Sequence, residues 1–475
     1  MQTVSAAPSD MPLANPPDIF ADPSIELQSQ QSLQDGTLIG KKFSFGTELS
    51  NWAVLMIKDG HELEEFRGLD DPIFERKMAT LTDMFVAKGI IIKTQPNYLL
   101  ADLPRRKASD PRRKAATNVI RAMIKDLGKQ LTFLMVFMSR PDERIYSGLK
   151  HLCDLYLDVH TICVNSDKIL GESKSDLLQR FADVALRVNL KLGGIHDNLS
   201  HHSMTLLNQM PTMMVGITTS GPSNLNNAPS VAAVAASVDS FFAQYPASMR
   251  IQQWSGTAIS GLREMIVERI ENFLNISKVL PERLIVFRSN VSNNLLPYVI
   301  EEEIREVIQA FKKYRQGTYR PDLTFIICYT REPNESTQRS IREIYRAAPI
   351  ASAKTVPVEP FYFSSEVPSA IQDTPQRKHY YAVHHEISFT VDQLGQLMDD
   401  VDGQLVRKSE EEGVGSPAFY AFRACHRGRC YLRDLYEEIK TGSGKLDSTA
   451  VMQKSTELWF GGVRGETLKN SMFYL

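Results

Sequence analysis

The clearest succession of apolar and polar runs lies between residues 212 and 291. Residues 212–217 (TMMVGI) predict one buried strand and residues 283–288 (RLIVFR) predict another. Between them, residues 230–242 and 248–254 read as strands. Residues 261–275 place Leu262, Met265, Ile266, Ile270, Phe273 and Leu274 at helical spacing. The order is therefore strand, two-stranded hairpin, helix, strand. The first and last strands run into hydroxyl-rich ends, TTSG from residue 218 and SNVS from residue 289.

Upstream, strand and helix patterns alternate. Residues 52–57, 90–92, 131–138 and 161–164 predict strands, and 74–87, 144–152 and 175–191 predict helices. The last helix carries Leu177, Leu178, Phe181, Val184, Ala185 and Val188 on one face and stops at Gly193-Gly194. Such alternation predicts a parallel, Rossmann-like sheet over residues 38–209, with 201–209 as a connection. Downstream, residues 301–314 predict a helix, 323–329 and 361–363 strands, and 389–407 a helix rich in aspartate. Residues 471–475 predict a packed apolar tail. The fold class expected is α/β: a Rossmann-like domain, then a ribonuclease H-like domain over residues 210–475. Residues 1–37, rich in Pro, Ser, Gln and Asp without periodicity, predict a disordered lead-in or linker remnant.

Composition narrows the function. Apolar residues make up 43% and charged residues 23% of the chain, as in ordinary globular proteins, and the net charge is −2. Any nucleic-acid site must then come from a local basic cluster. One candidate is the tandem PRRKA at 104–108 and 111–115, read as a solvated basic loop, with nuclear import or RNA-backbone contact as alternatives. The five cysteines include no CxxC pair, which points away from a disulfide framework or structural zinc and towards a reducing compartment. No apolar run approaches the roughly 20 residues that span a bilayer, and no signal-peptide order opens the chain. A cytoplasmic location is expected, with nuclear entry as the alternative.

Short segments then carry a resemblance by their order and spacing. They are NLKLGG (189–194), SVAAV (230–234), RIQQ (250–253), RSNVS (288–292) and PAFYA (417–421), with the run from Lys41 to Ala53. Together they resemble the Mid and Piwi domains of Argonaute proteins over about residues 38–475. The N-terminal and PAZ domains of that family find no counterpart. The resemblance implies metal-assisted RNA cleavage, in which two magnesium ions are held by carboxylates. It places the acidic and histidine positions of that site on Thr218, Thr257, Ser289 and Phe422, which are all neutral. The expectation is loss of cleavage, and no cofactor or metal. A site rebuilt on Glu264 or Asp239 is the alternative, with Asp239 expected on a strand. His384-His385-Glu386 reads as a polar strand end rather than a ligand set.

The resemblance further implies a pocket for the 5′-phosphate of a small guide RNA. It places Tyr146, Lys150, Ile162, Arg187 and Lys191 in the first domain's share of that pocket, and Arg407, Tyr420 and Arg427 in the second's. The residue types agree: Tyr146 and Lys150, and Arg187 and Lys191, are four apart and share helix faces. Tyrosine can stack on a base while cations meet phosphate. Ile162 puts apolar surface where a glutamine is expected. Two readings stay open: a non-cleaving small-RNA binder acting with other silencing proteins, or a Piwi-fold scaffold whose basic residues are surface-helix charges. A nuclease with a migrated site is the third.

Overall fold

The computed structural model describes residues 40–59, 65–104, 112–126, 131–171, 173–221, 225, 227–253, 258–289, 291–329, 332–347, 360–367, 376–405, 417–441 and 447–475. The expected lead-in at 1–37 lies outside them. The strands are β1 (Glu48–Leu49), β2 (Trp52–Lys58), β3 (Ile91–Ile92), β4 (Asn97–Asp102), β5 (Phe133–Met138), β6 (His160–Asn165), β7 (Thr212–Ser220), β8 (Pro229–Ala236), β9 (Ala247–Gln253), β10 (Arg283–Arg288), β11 (Asp322–Tyr329), β12 (Phe361–Val367) and β13 (Gln376–His385).

A four-stranded parallel sheet has the order β4-β2-β5-β6. Its middle strands are buried along nearly their whole length, as a sheet covered on both faces requires. Helices Pro72–Lys88 and Lys174–Lys191 cover one face through Phe74, Leu81, Phe85, Phe181, Ala185 and Val188. Helices Lys114–Asp126 and Glu143–Leu152 cover the other through Ile120, Ile124, Ile145 and Leu149. A second sheet has the order β12-β13-β11-β10-β7-β8-β9. β7 pairs in parallel with β10 and antiparallel with β8, and helix Leu262–Ser277 precedes β10. This is the strand, hairpin, helix, strand order that the hydrophobic pattern predicts. Met214, Val231, Ile285 and the helix Ala418–Tyr431 belong to the same apolar cluster as Phe74 and Phe181, so one core runs through both sheets. The tail residues Met472, Phe473 and Tyr474 are buried in it.

Several expectations need correcting. Residues 201–207 of the expected connection form a short helix. The strand expected over 230–242 ends at Ala236, and Asp239 sits in the turn beyond it, not on a strand. Its carboxylate accepts the N–H groups of Phe241, Ala243 and Gln244, which folds the chain back. The basic repeat is not simply a solvated loop either. Residues 105–111 are outside the described set, but Arg113 is buried, donates to the Pro104 carbonyl at 2.6 Å and faces Asp142 at 3.4 Å. Lys114 then opens a helix. Among the described residues no helix is long and apolar enough to cross a membrane.

The helix Ala418–Tyr431 lies across β7 and β8 and against helix Glu143–Leu152. Gly216 in β7 permits this seat: a Cβ there would stand 2.2 Å from the Pro417 carbonyl oxygen. Backbone cannot yield as a flexible side chain can. Gly216→Ala should therefore lower stability by about 1–3 kcal/mol, read as a shift in the urea midpoint at unchanged slope. An unchanged midpoint would mean that the helix is not seated on β7.

Candidate functional site

Thr218, near the end of β7, and Ser289, just after β10, are brought together because β7 and β10 are neighbours. The Ser289 hydroxyl donates to Thr218 Oγ1 at 3.0 Å, and both residues are buried. Arg288, next to Ser289, and Glu303 form a bidentate buried pair at 2.8 and 3.2 Å, so the charge of Glu303 is already neutralised. Phe422 is half-buried in helix Ala418–Tyr431 with its ring against His426 at 4.3 Å. Thr257 lies outside the described residues. Two buried hydroxyls that satisfy each other bring no negative charge, and they do not fit a pair of divalent cations. Burial pushes the Asp239 carboxyl up to about 6 within its turn. Glu264 is exposed on its helix. The His385 ring nitrogens bond Thr324 Oγ1 at 2.9 Å and the Phe389 carbonyl at 3.0 Å. Glu386 pairs with Arg320 at 2.6 Å. Among the described residues no three His, Cys, Asp or Glu side chains are grouped to hold a metal.

The second constellation is built at the seam between the sheets by helices that each contribute side chains four residues apart. Helix Glu143–Leu152 supplies Tyr146 and Lys150, and the Lys150 ammonium lies 5.1 Å from the Tyr146 ring centroid. That helix then widens into a π-turn, Cys153–Leu157, closed by Asp158 with φ 55°. Asp154 in this turn is buried and accepts Arg427 at 2.8 Å and the Tyr431 hydroxyl at 2.7 Å. Arg427 and Tyr431 are four apart on helix Ala418–Tyr431. Arg427 also reaches a main-chain oxygen of Leu475 at 3.4 Å. Helix Lys174–Lys191 supplies Arg187 and Lys191. Lys191 is fully buried and donates to the Phe473 carbonyl. Lys150 donates to the Thr161 carbonyl at 3.0 Å and to its hydroxyl.

Not every expected residue joins this group. Ile162 belongs to the apolar core and brings no polar atom. Its neighbour Thr161 meets Lys150 instead, because successive strand residues point to opposite faces. Tyr420 does not face the cations: it is buried in a stack on Tyr245, with centroids 4.5 Å apart. Arg407 lies outside the described residues. Asp154, Thr161 and His160 were not singled out by sequence. Asp154 lies past the predicted helix, in the π-turn, so helical spacing from Lys150 did not point to it.

Burial gives this group its electrostatics. Desolvation, then Arg427 and Lys150, holds Lys191 well below the usual lysine range. Arg187 stays exposed to solvent, yet enough protein surrounds it that desolvation, then Arg423, lowers its pKa. That combination fits a guanidinium lining a concave surface. Burial works against the charge of Arg427, but Asp154, with Tyr146 and Tyr431, raises its pKa overall. His160 is pushed down from 6.5 to about 3, first by burial and then by Lys191, Arg427 and Lys150. The unfolded chain therefore binds this proton near 6.5 and the folded protein only near 3. Between those values the unfolded state holds more protons, so stability falls as pH drops through the window. A His160→Gln variant should lose less stability than the parent between pH 6.5 and 3, measured as urea midpoints at stepped pH. Parallel profiles would assign the acid loss to other groups.

A model of the Piwi domain matches residues 133–433. The chain is 24% identical to argonaute 7 of Arabidopsis thaliana, across 96% of this chain and 44% of that protein. It is 29% identical to argonaute 2 of Oryza sativa subsp. japonica, across 60% of this chain and 28% of that one. It thus spans under half the length of these relatives. Among solved structures it resembles the MID-PIWI domains of N. crassa QDE-2, with TM-score 0.63, 21% identity, and 91% and 100% of the chains covered. It also resembles the C-terminal lobe of a budding yeast Argonaute, with TM-score 0.68, 18% identity, and 90% and 85% covered. These neighbours share the fold, a Mid domain joined to a ribonuclease H-like Piwi domain. With most of its length matched by the Piwi model, the chain belongs to the Argonaute family of Piwi-domain proteins.

Proposed function

We propose that this protein binds the 5′-phosphorylated end of a small single-stranded guide RNA in RNA silencing and does not cleave its target. The observation that carries this reading is the contrast between its two constellations. Lys150, Lys191 and Arg427 converge at the seam near the buried carboxylate of Asp154. At the strand ends Thr218 and Ser289 pair as neutral hydroxyls, which lack the charge that divalent cations need. A phosphate dianion among those cations would offset their mutual repulsion and return Lys191 towards its ordinary pKa. Tyr146 and the accessible Arg187 lie at the outer side of the group, where a first base and its phosphate would meet them. Related structures include a Kluyveromyces polysporus Argonaute with a guide RNA, similar over 91% of this chain and 48% of that one, with TM-score 0.67 and 17% identity. In this reading residues 38–209 act as the Mid domain, 210–475 as the Piwi domain, and regulation comes from partner proteins.

A second reading has its own observation. The cations already have internal acceptors: Thr161 for Lys150, Phe473 for Lys191 and Asp154 for Arg427. A scaffold for protein partners would need no more than that.

The test is binding of guide-length RNA with and without its 5′-phosphate, by fluorescence anisotropy. The phosphorylated strand should bind at least about tenfold more tightly, the worth of one charge-assisted contact. A Lys150→Met, Lys191→Met variant, which keeps the buried stems, should abolish the preference. Added magnesium and a matched target should give no cleavage product. Equal affinity for the two strands would favour the scaffold, and magnesium-dependent product would mean a rebuilt nuclease site.

A further inference from the structure

A basic and aromatic strip runs along the outside of the seam, and neither constellation accounts for it. Helix Lys114–Asp126 exposes Lys114, Arg121 and Lys125, seven and four residues apart and so on one face, with exposed Arg112 just before it. The first acid in this helix is Asp126. Like charges at these spacings weaken a helix slightly rather than support it. They also continue the basic repeat that begins at Pro104, whose Arg113 turns inward while Arg112 and Lys114 face solvent.

At Arg121 the strip meets an exposed stack of rings. The Arg121 guanidinium lies 6.0 Å from the Tyr156 centroid. Tyr156 stacks on Phe460 at 4.6 Å and 22°. The Arg464 guanidinium lies 5.7 Å from the Phe460 centroid. Tyr156 and Phe460 each keep 47% of their surface exposed, so the stack is not sealed. Phe460 ends helix Ser448–Trp459 at φ 49°, a position that glycine fills at less cost.

We propose that this strip is a second nucleic-acid surface, which takes the backbone and bases of single-stranded RNA without reading its 5′ end. Lysine and arginine supply phosphate contacts, and rings supply stacking that tolerates any base. An exposed guanidinium over a ring is worth about 0.5–1 kcal/mol, whereas a base on a ring is worth about 1–3. A base therefore displaces the guanidinium, which is freed for the adjacent phosphate. An acidic peptide would use the cations but leave the rings bare. A greasy helix would cover the rings but strand the cations. The acids nearby do not cancel the strip: Glu438, near Arg112, is held by Lys454, and Asp158 caps the N–H groups of Thr467 and Leu468. Asp434 faces His151 behind the stack.

The experiment uses the full chain and a fluorescent single strand with a 5′-hydroxyl, titrated across a salt series. The parent should bind, with affinity falling linearly in log salt. Arg121→Gln, Lys125→Gln and Arg464→Gln together should weaken binding at least about tenfold and reduce the salt slope by about 2, as three lost single-strand phosphate contacts require. Tyr156→Leu with Phe460→Leu, which keeps apolar packing, should weaken binding about 5- to 100-fold at an unchanged slope. Melting curves would confirm that both variants fold. No binding of the 5′-hydroxyl strand, or parental affinity in both variants, would overturn the proposal. So would equal competition by poly-glutamate of matched charge, which would assign the strip to an acidic protein partner. The 5′-phosphate reading is judged by the parent's preference between 5′-phosphorylated and 5′-hydroxyl strands, and this proposal by the 5′-hydroxyl strand alone, so the two fail independently.

Discussion

One buried carboxylate holds the two halves of the seam in register. Asp154 accepts both Arg427 and Tyr431, one helical turn apart, from a helix that is otherwise fixed to the second sheet. Without it Arg427 would be a buried cation facing Lys150 and Lys191, a state that costs several kcal/mol. The same helix rests on β7 at Gly216 and sets Cys425 against the Thr218 carbonyl. The geometry of both constellations thus depends on where Asp154 pins that helix, and the apolar core shared by the sheets fills in behind it.

The two constellations treat charge in opposite ways. At the strand ends Glu303 is locked to Arg288, and Thr218 and Ser289 close on each other. These two pairings leave no net charge between them. At the seam, cations accumulate beyond what Asp154 can balance, and the strain appears as a depressed Lys191 and a neutral His160. The proposed phosphate pocket rests on this contrast between a cationic group buried at a cost in stability and strand-end hydroxyls that bring no charge.

Much of this was legible in the sequence because burial on both faces leaves a plain apolar run, as in β2, β5, β7 and β10. Where burial was one-sided, the signal faded. β4 is largely exposed at a sheet edge, and β13 interleaves Lys378, His379 and His384 with its aromatics, so neither run stands out. Helix Ala418–Tyr431 contains Arg423, Arg427 and Arg429, which masks its buried face. At the seam, the family resemblance gave Tyr146, Lys150, Arg187, Lys191 and Arg427, and helical spacing supported the pairs 146/150 and 187/191. Neither could give Thr161, whose contact depends on strand pleat, or separate Tyr420 from the pocket, since that depends on what packs across the helix.

The π-turn at Cys153–Leu157 sorts side chains between the interior and the exterior. Asp154 goes in to the seam, Tyr156 goes out to the ring stack, and Asp158 reaches forward to Thr467 and Leu468. Removing one residue from this turn would rotate the downstream side chains by about 100° and exchange inside for outside in a single step. Insertions and deletions are tolerated in the loops of most folds, but here a change of one residue would dismantle the inner charge pair and the outer platform together. Both surfaces are therefore bound to a common evolutionary fate by chain length at one turn, whatever the chemistry of the residues that face each way.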